Sequence, residues 1–333
     1  MFKVGIIGCG RIAGGFEGDI GRESPCTHIG AYNLNSKTNV TAISDNSKDA
    51  LLNFSTKWNI NNAYLDYREM LKNEHLDIVS VCSNEDSHFQ VVIDAAKSGA
   101  KLIFCEKPIA KNTTQAKEMI QCCEENQVKL VINHSRRWHN NFIYAKKQID
   151  SAAFGKIVSI TGRYTSGLRV MGTHMIDIMS FLCGPVISIS GVKKEKEIKG
   201  KLKYSENFSN NDPSYSALLN FNNDIVGFLE GSCHKKYLLF ELDIHFTDGR
   251  ISIINNGQKI DLWRHNKGLL SQLPDVNIKL NSTIMNAVNS NIDCLEFGTE
   301  TPSSGKDGFY ALEIIEKILR SDLIHNKEKV WKN

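Results

Sequence analysis

Lys107 closes the segment Cys105-Glu106-Lys107, which Pro108 follows, at the end of an apolar run that reads as a buried strand. A lysine at the carboxyl edge of a parallel sheet stands where ligands bind in open α/β folds. It can donate to a reacting oxygen while charge develops there. Pro108 rigidifies the turn and argues against the plainer reading of a solvated lysine. His174 and Asp177, in Gly172-Thr-His174-Met-Ile-Asp177, are three apart at a helix start, so both side chains share one face. Histidine titrates near neutrality and suits removal of a hydroxyl proton. A histidine that only caps or packs the helix is the alternative. Asp177 can bind a substrate hydroxyl or hold His174. Glu106 can orient Lys107, contact a cofactor ribose or serve as a structural carboxylate.

The N-terminus supplies a second kind of chemistry. The run Lys3–Ile7 leads into Gly8-Cys-Gly10-Arg11-Ile12-Ala13, a strand meeting a glycine turn. Gly8 permits the tight turn, Gly10 lets backbone approach a pyrophosphate, and Ala13 takes the third, small position where helix packs on strand. Arg11 and Ile12 line the same turn, and the pyrophosphate is expected on the following helix N-terminus. Asp45 ends the second strand, where a carboxylate accepts from adenosine ribose hydroxyls and repels a 2′-phosphate. NAD is therefore expected over NADP. Asp45 lies farther from the fingerprint than usual because of an extended loop, 14–27, which reads equally as a lid or a solvated insertion.

The elements that must position these groups follow from periodicity. Strand candidates at 3–8, 40–45, 78–83, 101–106 and 129–134 are rich in Val and Ile without polar alternation, as for strands buried on both faces. Amphipathic stretches near 47–58, 66–73, 86–99 and 112–126 separate them, and Gly99 closes one helix. This is a doubly wound parallel sheet over 1–135. Residues 136–333 read as an α+β domain with a large, mostly antiparallel open sheet. Turn signals at 210–213, 222–224, 248–249 and 255–257 punctuate it, with helices at 140–151, 172–182, 282–297 and 306–325.

Composition narrows the partners. The 333 residues carry a net charge of +3 with 23% charged residues and no basic run, which excludes a nucleic-acid partner. No apolar stretch is long enough for a membrane span, and the opening strand is expected to leave no room for a leader. Nine scattered cysteines without a Cys-x-x-Cys pair fit reduced thiols in a cytoplasmic protein, with no metal site expected.

Four motifs in order carry a family resemblance: the glycine turn, Glu106-Lys107-Pro108, Asn133-His-Ser-Arg136-Arg137-Trp138, and Gly172-Thr-His174-Met-Ile-Asp177. The segment Ser304-Gly-Lys-Asp-Gly308 leading into Tyr310 adds to them. Over essentially its whole length the chain resembles the glucose–fructose oxidoreductase/inositol dehydrogenase family, Gfo/Idh/MocA. The resemblance implies an NAD(P)-dependent enzyme moving hydride between nicotinamide and a sugar, polyol or nucleotide-sugar hydroxyl or ketone. It implies Lys107 and His174 as catalytic groups. Ser83, Asn84 and His88 are placed in a turn near the cofactor, although His88 also reads as a packing residue. Arg137, Tyr164 and Asp177 stand as substrate contacts, with His134, Asn133, Trp138, His234 and Tyr237 as further candidates. The second sheet often serves as an oligomer interface, so a homodimer or homotetramer is expected. One departure stands out: many members carry an aspartate one turn before the histidine, and this chain has Val170, which neither Arg169 nor Thr173 replaces. That leaves open a slower enzyme, a different or non-sugar substrate, or a regulator that binds cofactor without turnover.

Overall fold

The computed structural model describes residues 1–20, 22–193, 212–232 and 237–324, with side chains through Ser321. His234 and Asn210 and Asn211 of one expected turn lie outside them. The chain divides into two compact units, Met1–Asn140 with Lys279–Leu312, and Asn141–Ile278 with Glu313–Asn333.

The first unit holds a parallel sheet built from β1 (Phe2–Ile7), β2 (Thr38–Ser44), β3 (Asn62–Tyr64), β4 (Ile78–Val81), β5 (Leu102–Cys105) and β6 (Lys129–Ile132), in the order β3-β2-β1-β4-β5-β6. Helices α1 (His28–Leu34), α2 (Lys48–Trp58), α3 (Tyr67–Asn73), α4 (Glu85–Lys97) and α5 (Thr113–Glu125) connect the strands. Successive strand side chains point to opposite faces, and both faces are dry. Val4, Ile6, Ile78, Leu102, Phe104 and Val131 pack on one side with Ile29, Tyr32 and Phe54. Ile7, Val79, Val81, Ile103, Cys105 and Ile132 pack on the other with Val91, Val92 and Met119. Removing each large apolar side chain from water contributes about 1.5–3 kcal/mol. The sheet is thus the rigid part from which the turns at its carboxyl edge project.

Two features differ from the sequence reading. A sixth strand, β3, is present; its three residues are exposed or half-buried and offer no apolar run. The division placed at 135/136 also omits a return of the chain. Helix α8 (Thr283–Phe297) brings Ile284, Ala287, Val288 and Ile292 into the first unit's core. Ser303 then accepts from Ile132 N at 3.0 Å, and Ser304 bridges Val131 beside β6.

The second unit holds β7 (Ile157–Thr165), β8 (Val186–Lys193), β9 (Tyr215–Phe221), β10 (Val226–Ser232), β11 (Phe240–Phe246), β12 (Gly249–Ile254), β13 (Lys259–Asn266) and β14 (Leu269–Gln272) in one sheet, order β14-β13-β12-β11-β7-β10-β9-β8. Only the β7–β10 pair is parallel. Two further helices are α6 (Asn140–Asp150) and α7 (Thr173–Cys183), and α9 (Gly305–Ile324) crosses the division at Leu312. Helix α7 sits close on the sheet because glycines receive it: a Cβ on Gly162 would lie 2.5 Å from Met175 Sδ, and one on Gly227 would lie 3.2 Å from Met179 Cε. That contact fixes the helix on which His174 is carried.

Candidate functional site

In the first unit the glycine turn is confirmed in form and refined in detail. Gly8 has φ +94°, and a Cβ there would lie 2.6 Å from Ser83 N and 2.7 Å from Cys82 C, so the backbone after β4 excludes any other residue. Gly10 is different: a Cβ would meet nothing within 4 Å, and the residue is exposed. The space over it is open to a ligand. A short π-helical turn, Arg11–Gly15, follows, and the regular helix α1 begins only at His28. Ala13 is fully buried as expected, yet the closest packing falls on Gly14, whose Cβ would meet Phe54 at 2.6 Å and Trp58 Nε1 at 2.7 Å. Ile12 packs half-buried against the same apolar cluster.

The described residues of the 14–27 loop are anchored. Glu17 Oε2 accepts from Thr27 Oγ1 at 2.7 Å and Cys26 N at 3.1 Å, while Thr27 caps α1 by accepting from Gly30 N. Lys57 Nζ donates to the carbonyls of Gly14 and Glu17. Arg11 belongs to this loop: its guanidinium lies 4.4 Å over the Phe16 ring and 3.5 Å from Asp19 Oδ2. Asp45, just past β2, is half-buried and accepts from Cys9 N at 2.7 Å on Oδ2 and from Ser47 N at 2.8 Å on Oδ1. Burial, then the Asp45 charge, pushes the Cys9 thiol up to about 12, so it stays protonated beside the turn.

The turn after β5 is held from several sides. Glu106 is 8% exposed, and its Oε1 accepts from His28 Nε2 at 2.9 Å and Asn133 Nδ2 at 2.6 Å. Glu106 N donates to Val81 O at 2.9 Å. The Lys107–Pro108 peptide is cis. Lys107 is half-buried and lies within electrostatic reach of Glu106 and His134. Burial, with Arg137 and Lys107 adding to it, drives His134 down to about 3, so this ring is neutral at any working pH. Asn133 Oδ1 is buried and takes no hydrogen bond among the described residues. An acceptor left so at the end of β6 fits a ligand's donor.

Three candidates are placed otherwise than expected. His88 is 1% exposed with Nδ1 at 2.9 Å from Pro108 O and Nε2 at 3.0 Å from Ser83 O. It staples two turns together and presents neither nitrogen to a cofactor. Arg137 is buried, with Nη1 donating to Pro302 O at 2.7 Å and pairing with Asp307 at 3.0 Å, which ties β6 to the returning segment. Tyr164 is fully buried in β7; its hydroxyl donates to Tyr215 O at 2.9 Å and accepts from Tyr215 N at 3.2 Å. Its chemistry is used in bridging strands, so it is not a substrate contact. Ser83 is half-buried, its Oγ accepting from Ser87 at 2.7 Å, and Asn84 is exposed at the start of α4 with no cap made by its side chain. Trp138 is 3% exposed and stacks edge-on against Phe104. Tyr237, by contrast, is 54% exposed.

In the second unit a π-helical turn, Leu168–Gly172, runs straight into α7 because Gly172 and Thr173 both keep helical backbone angles. His174 and Asp177 are 5% and 1% exposed on that helix. Beside Val170 the structure places a carboxylate that sequence spacing could not reveal. Asp212 Oδ2 accepts from Val170 N at 2.9 Å, and its oxygens accept from Arg169 N at 3.0 Å. His28, Ser80 and Tyr32 were also missed. The available signal was Ser80 itself, a hydroxyl set inside the strand Ile78-Val-Ser-Val81.

A glycine turn leading from the first strand, an acid after the second and a lysine after the fifth, on a six-stranded doubly wound sheet, fit a dinucleotide-binding unit. Residues 2–134 match the model of the oxidoreductase family with an NAD-binding Rossmann fold, Gfo/Idh/MocA. Myo-inositol 2-dehydrogenase of Thermotoga maritima is 31% identical over 183 residues, a match that spans 53% of this chain and 51% of that relative. Inositol 2-dehydrogenase of Rhizobium meliloti is 25% identical, covering 74% of this chain and 78% of the relative. An Agrobacterium radiobacter oxidoreductase, solved with NAD+, L-tartaric acid and magnesium, superposes with a TM-score of 0.81 at 21% identity, covering 97% of this chain and 96% of that one. Over residues 2–134 the chain is similar to the Gfo/Idh/MocA oxidoreductase family, and the match to the Thermotoga maritima relative spans about half of that relative's length. Its cofactor is a nicotinamide dinucleotide. Among the described residues, no helix is long and apolar enough to cross a membrane.

Proposed function

We propose that this protein is an NAD-dependent dehydrogenase acting on a hydroxyl of a sugar or polyol, or running the reverse reduction of the ketone. The observation that carries this reading is Lys107: half-buried on a turn that His28, Asn133 and His88 hold, beside the charged Glu106 and the neutral His134. The relatives named above as inositol dehydrogenases support a polyhydroxylated ring as the substrate class.

The cofactor, when bound, accepts or donates hydride at its nicotinamide ring. The open face of Gly10 lets backbone approach the pyrophosphate. Asp45, fixed through Cys9 N and Ser47 N, keeps lone pairs for ribose hydroxyls. Lys107 Nζ donates to the reacting oxygen and stabilises its developing charge. His174 takes the hydroxyl proton, and Asp177 holds substrate or histidine on the same helix face. The direct test is reduced-nicotinamide absorbance with NAD and a panel of cyclitols, sugars and nucleotide sugars. Reduction with one class supports the reading; tight NAD binding with a silent panel favours a regulator on the same scaffold, the outcome that Val170 makes worth testing.

Asp45 sets cofactor choice by charge. Asp45→Asn keeps the acceptor for Cys9 N and removes the charge. Calorimetry should show NADP affinity rising against NAD by about tenfold or more. An unchanged ratio would remove Asp45 from cofactor selection.

The outward side of the second sheet supports self-association. Phe228 and Leu218 are directly paired across β10 and β9, and they are 48% and 39% exposed; Val192 on β8, 43% exposed, sits diagonal to Leu218. A second copy of this chain is the proposed cover for this patch. Light scattering should find a dimer or tetramer, and Phe228→Asp should lower the mass towards one chain. A monomeric wild type would end this part of the reading. The eight described cysteines are unbridged, which supports a cytoplasmic setting.

A further inference from the structure

Two side chains, His28 and Asn133, meet on one carboxylate oxygen of Glu106 inside the first unit, and Ser80 and Tyr32 stand in line behind His28. Tyr32 of α1 places its hydroxyl 3.1 Å from Ser80 Oγ, and Ser80 Oγ lies 2.8 Å from His28 Nδ1. His28 Nε2 lies 2.9 Å from Glu106 Oε1, which also accepts from Asn133 at 2.6 Å. Tyr32, Ser80 and His28 are fully buried. Hydrogen positions follow from the acceptors. A carboxylate only accepts, so Nε2 carries the proton; Nδ1 then accepts from Ser80, and Ser80 accepts from Tyr32. In this arrangement every group of the chain of contacts has a partner.

We propose that His28 is a positioning residue: locked by Ser80 and Tyr32, it keeps Glu106 ionised and fixed, and through Glu106 it fixes the adjoining Lys107 turn. This rests on the reading of Lys107 given above. A relay serving packing alone would be better replaced by apolar side chains, because an ionised carboxylate at this depth is stable only when paired and hydrogen-bonded. The titratable groups facing Glu106 are His28 from α1, Lys107 on its own turn, Cys82 after β4, Cys105 of β5 and His134 after β6. Burial pushes both thiols well up and His134 down, so these three are neutral. Burial also pushes the Glu106 carboxyl up, but His28, Asn133 and Lys107 more than reverse it and hold it below the ordinary carboxylate range. Of the groups named, His28 and Lys107 both favour the charged carboxylate, His28 the more strongly. Protonating Glu106 would remove a negative charge within electrostatic reach of Lys107 as well as the anchor of the turn.

The sign follows. Because Glu106 titrates below its ordinary range in the folded chain, its contribution to stability is complete above that range and is lost as the pH falls through the lowered value. Removing His28 takes away a donor and leaves the burial in place, so the carboxyl must then titrate at higher pH.

The test is carbon NMR of glutamate carboxyls in the protein without added nucleotide, with Glu106→Gln identifying the signal. In the wild type Glu106 is expected to stay ionised from about pH 5 to pH 9. In His28→Leu its proton affinity should rise about tenfold or more, and the acid limb of turnover should move with it. His28→Gln replaces one N–H and should restore most of the wild-type titration. Ser80→Ala, which frees the ring to change tautomer, should show a smaller rise in the same direction. Unchanged Glu106 titration in both His28→Leu and His28→Gln, or a loss of thermal stability without a change in titration, would overturn the proposal. If His28→Leu does not fold, Ser80→Ala decides: no rise there overturns it. Calorimetry with NAD on the wild type separates the two readings. Failure to bind NAD defeats the proposed function, whereas the carboxyl titration still reports on the relay.

Discussion

Lys107→Met is expected to lower turnover by about 10²–10³-fold with NAD affinity little changed. Methionine keeps the length and the apolar stem of the side chain and removes only the ammonium. His134 is held neutral by burial and by its cationic neighbours, and Arg137 is engaged with Pro302 and Asp307. The backbone of the turn should survive, since Glu106 N on Val81 O and His88 on Pro108 O do not involve the lysine side chain. Steady-state kinetics with the best substrate, run beside calorimetry, provides the check. A fall in kcat at constant NAD affinity places Lys107 at the reacting oxygen. A rise in KM with kcat unchanged would make it a binding group instead. Turnover within a few-fold of wild type would remove it from the chemistry.

How far such residues can be read from sequence depends on whether the rule that places them is local. Gly8 and Gly10 were legible because a strand-to-helix turn restricts backbone over a few residues, and the structure adds only that the constraint on Gly8 comes from Cys82 and Ser83. The alternation of Ile78-Val-Ser-Val81 and Leu102-Ile-Phe-Cys105 between two cores was legible for the same reason. Helix α8 reads as amphipathic, but nothing in its own spacing says that its apolar face joins the first unit. Strand β3 is too short and too exposed to announce itself. Polar residues fail differently. Arg137, Tyr164 and His88 each look like ligand groups by type, and each proves to be engaged with backbone carbonyls. Sequence names the donor but not the acceptor that consumes it. Conversely, His28 and Glu106 are 78 positions apart, and Asp212 and Val170 are 42 apart, so those pairings exist only after folding.

His174→Ala is expected to cut turnover by about 10²–10⁴-fold, again with little change in NAD affinity. The argument starts from the helix. Gly162 and Gly227 let Met175 and Met179 approach the sheet, so α7 has one seating and His174, one residue before Met175, inherits it. Truncation to alanine removes an imidazole that is 5% exposed, and some stability goes with it. His174→Gln therefore accompanies it, since glutamine fills most of the volume and keeps an N–H but cannot accept and release a proton near neutrality. If His174 is the base, both variants lose turnover and both lose the limb of the kcat/KM profile that the wild-type imidazole produces. If its part is packing, alanine loses stability while glutamine turns over normally. Asp212 refines the outcome. Its carboxylate caps Arg169 N and Val170 N on the turn that leads into the helix of His174. Asp212→Asn keeps the capping oxygen and drops the charge, so it should lower kcat less than His174→Gln and shift the same limb. A limb that does not move would show that Asp212 only caps the helical turn, and that proton removal proceeds at His174 without help from a carboxylate at that position.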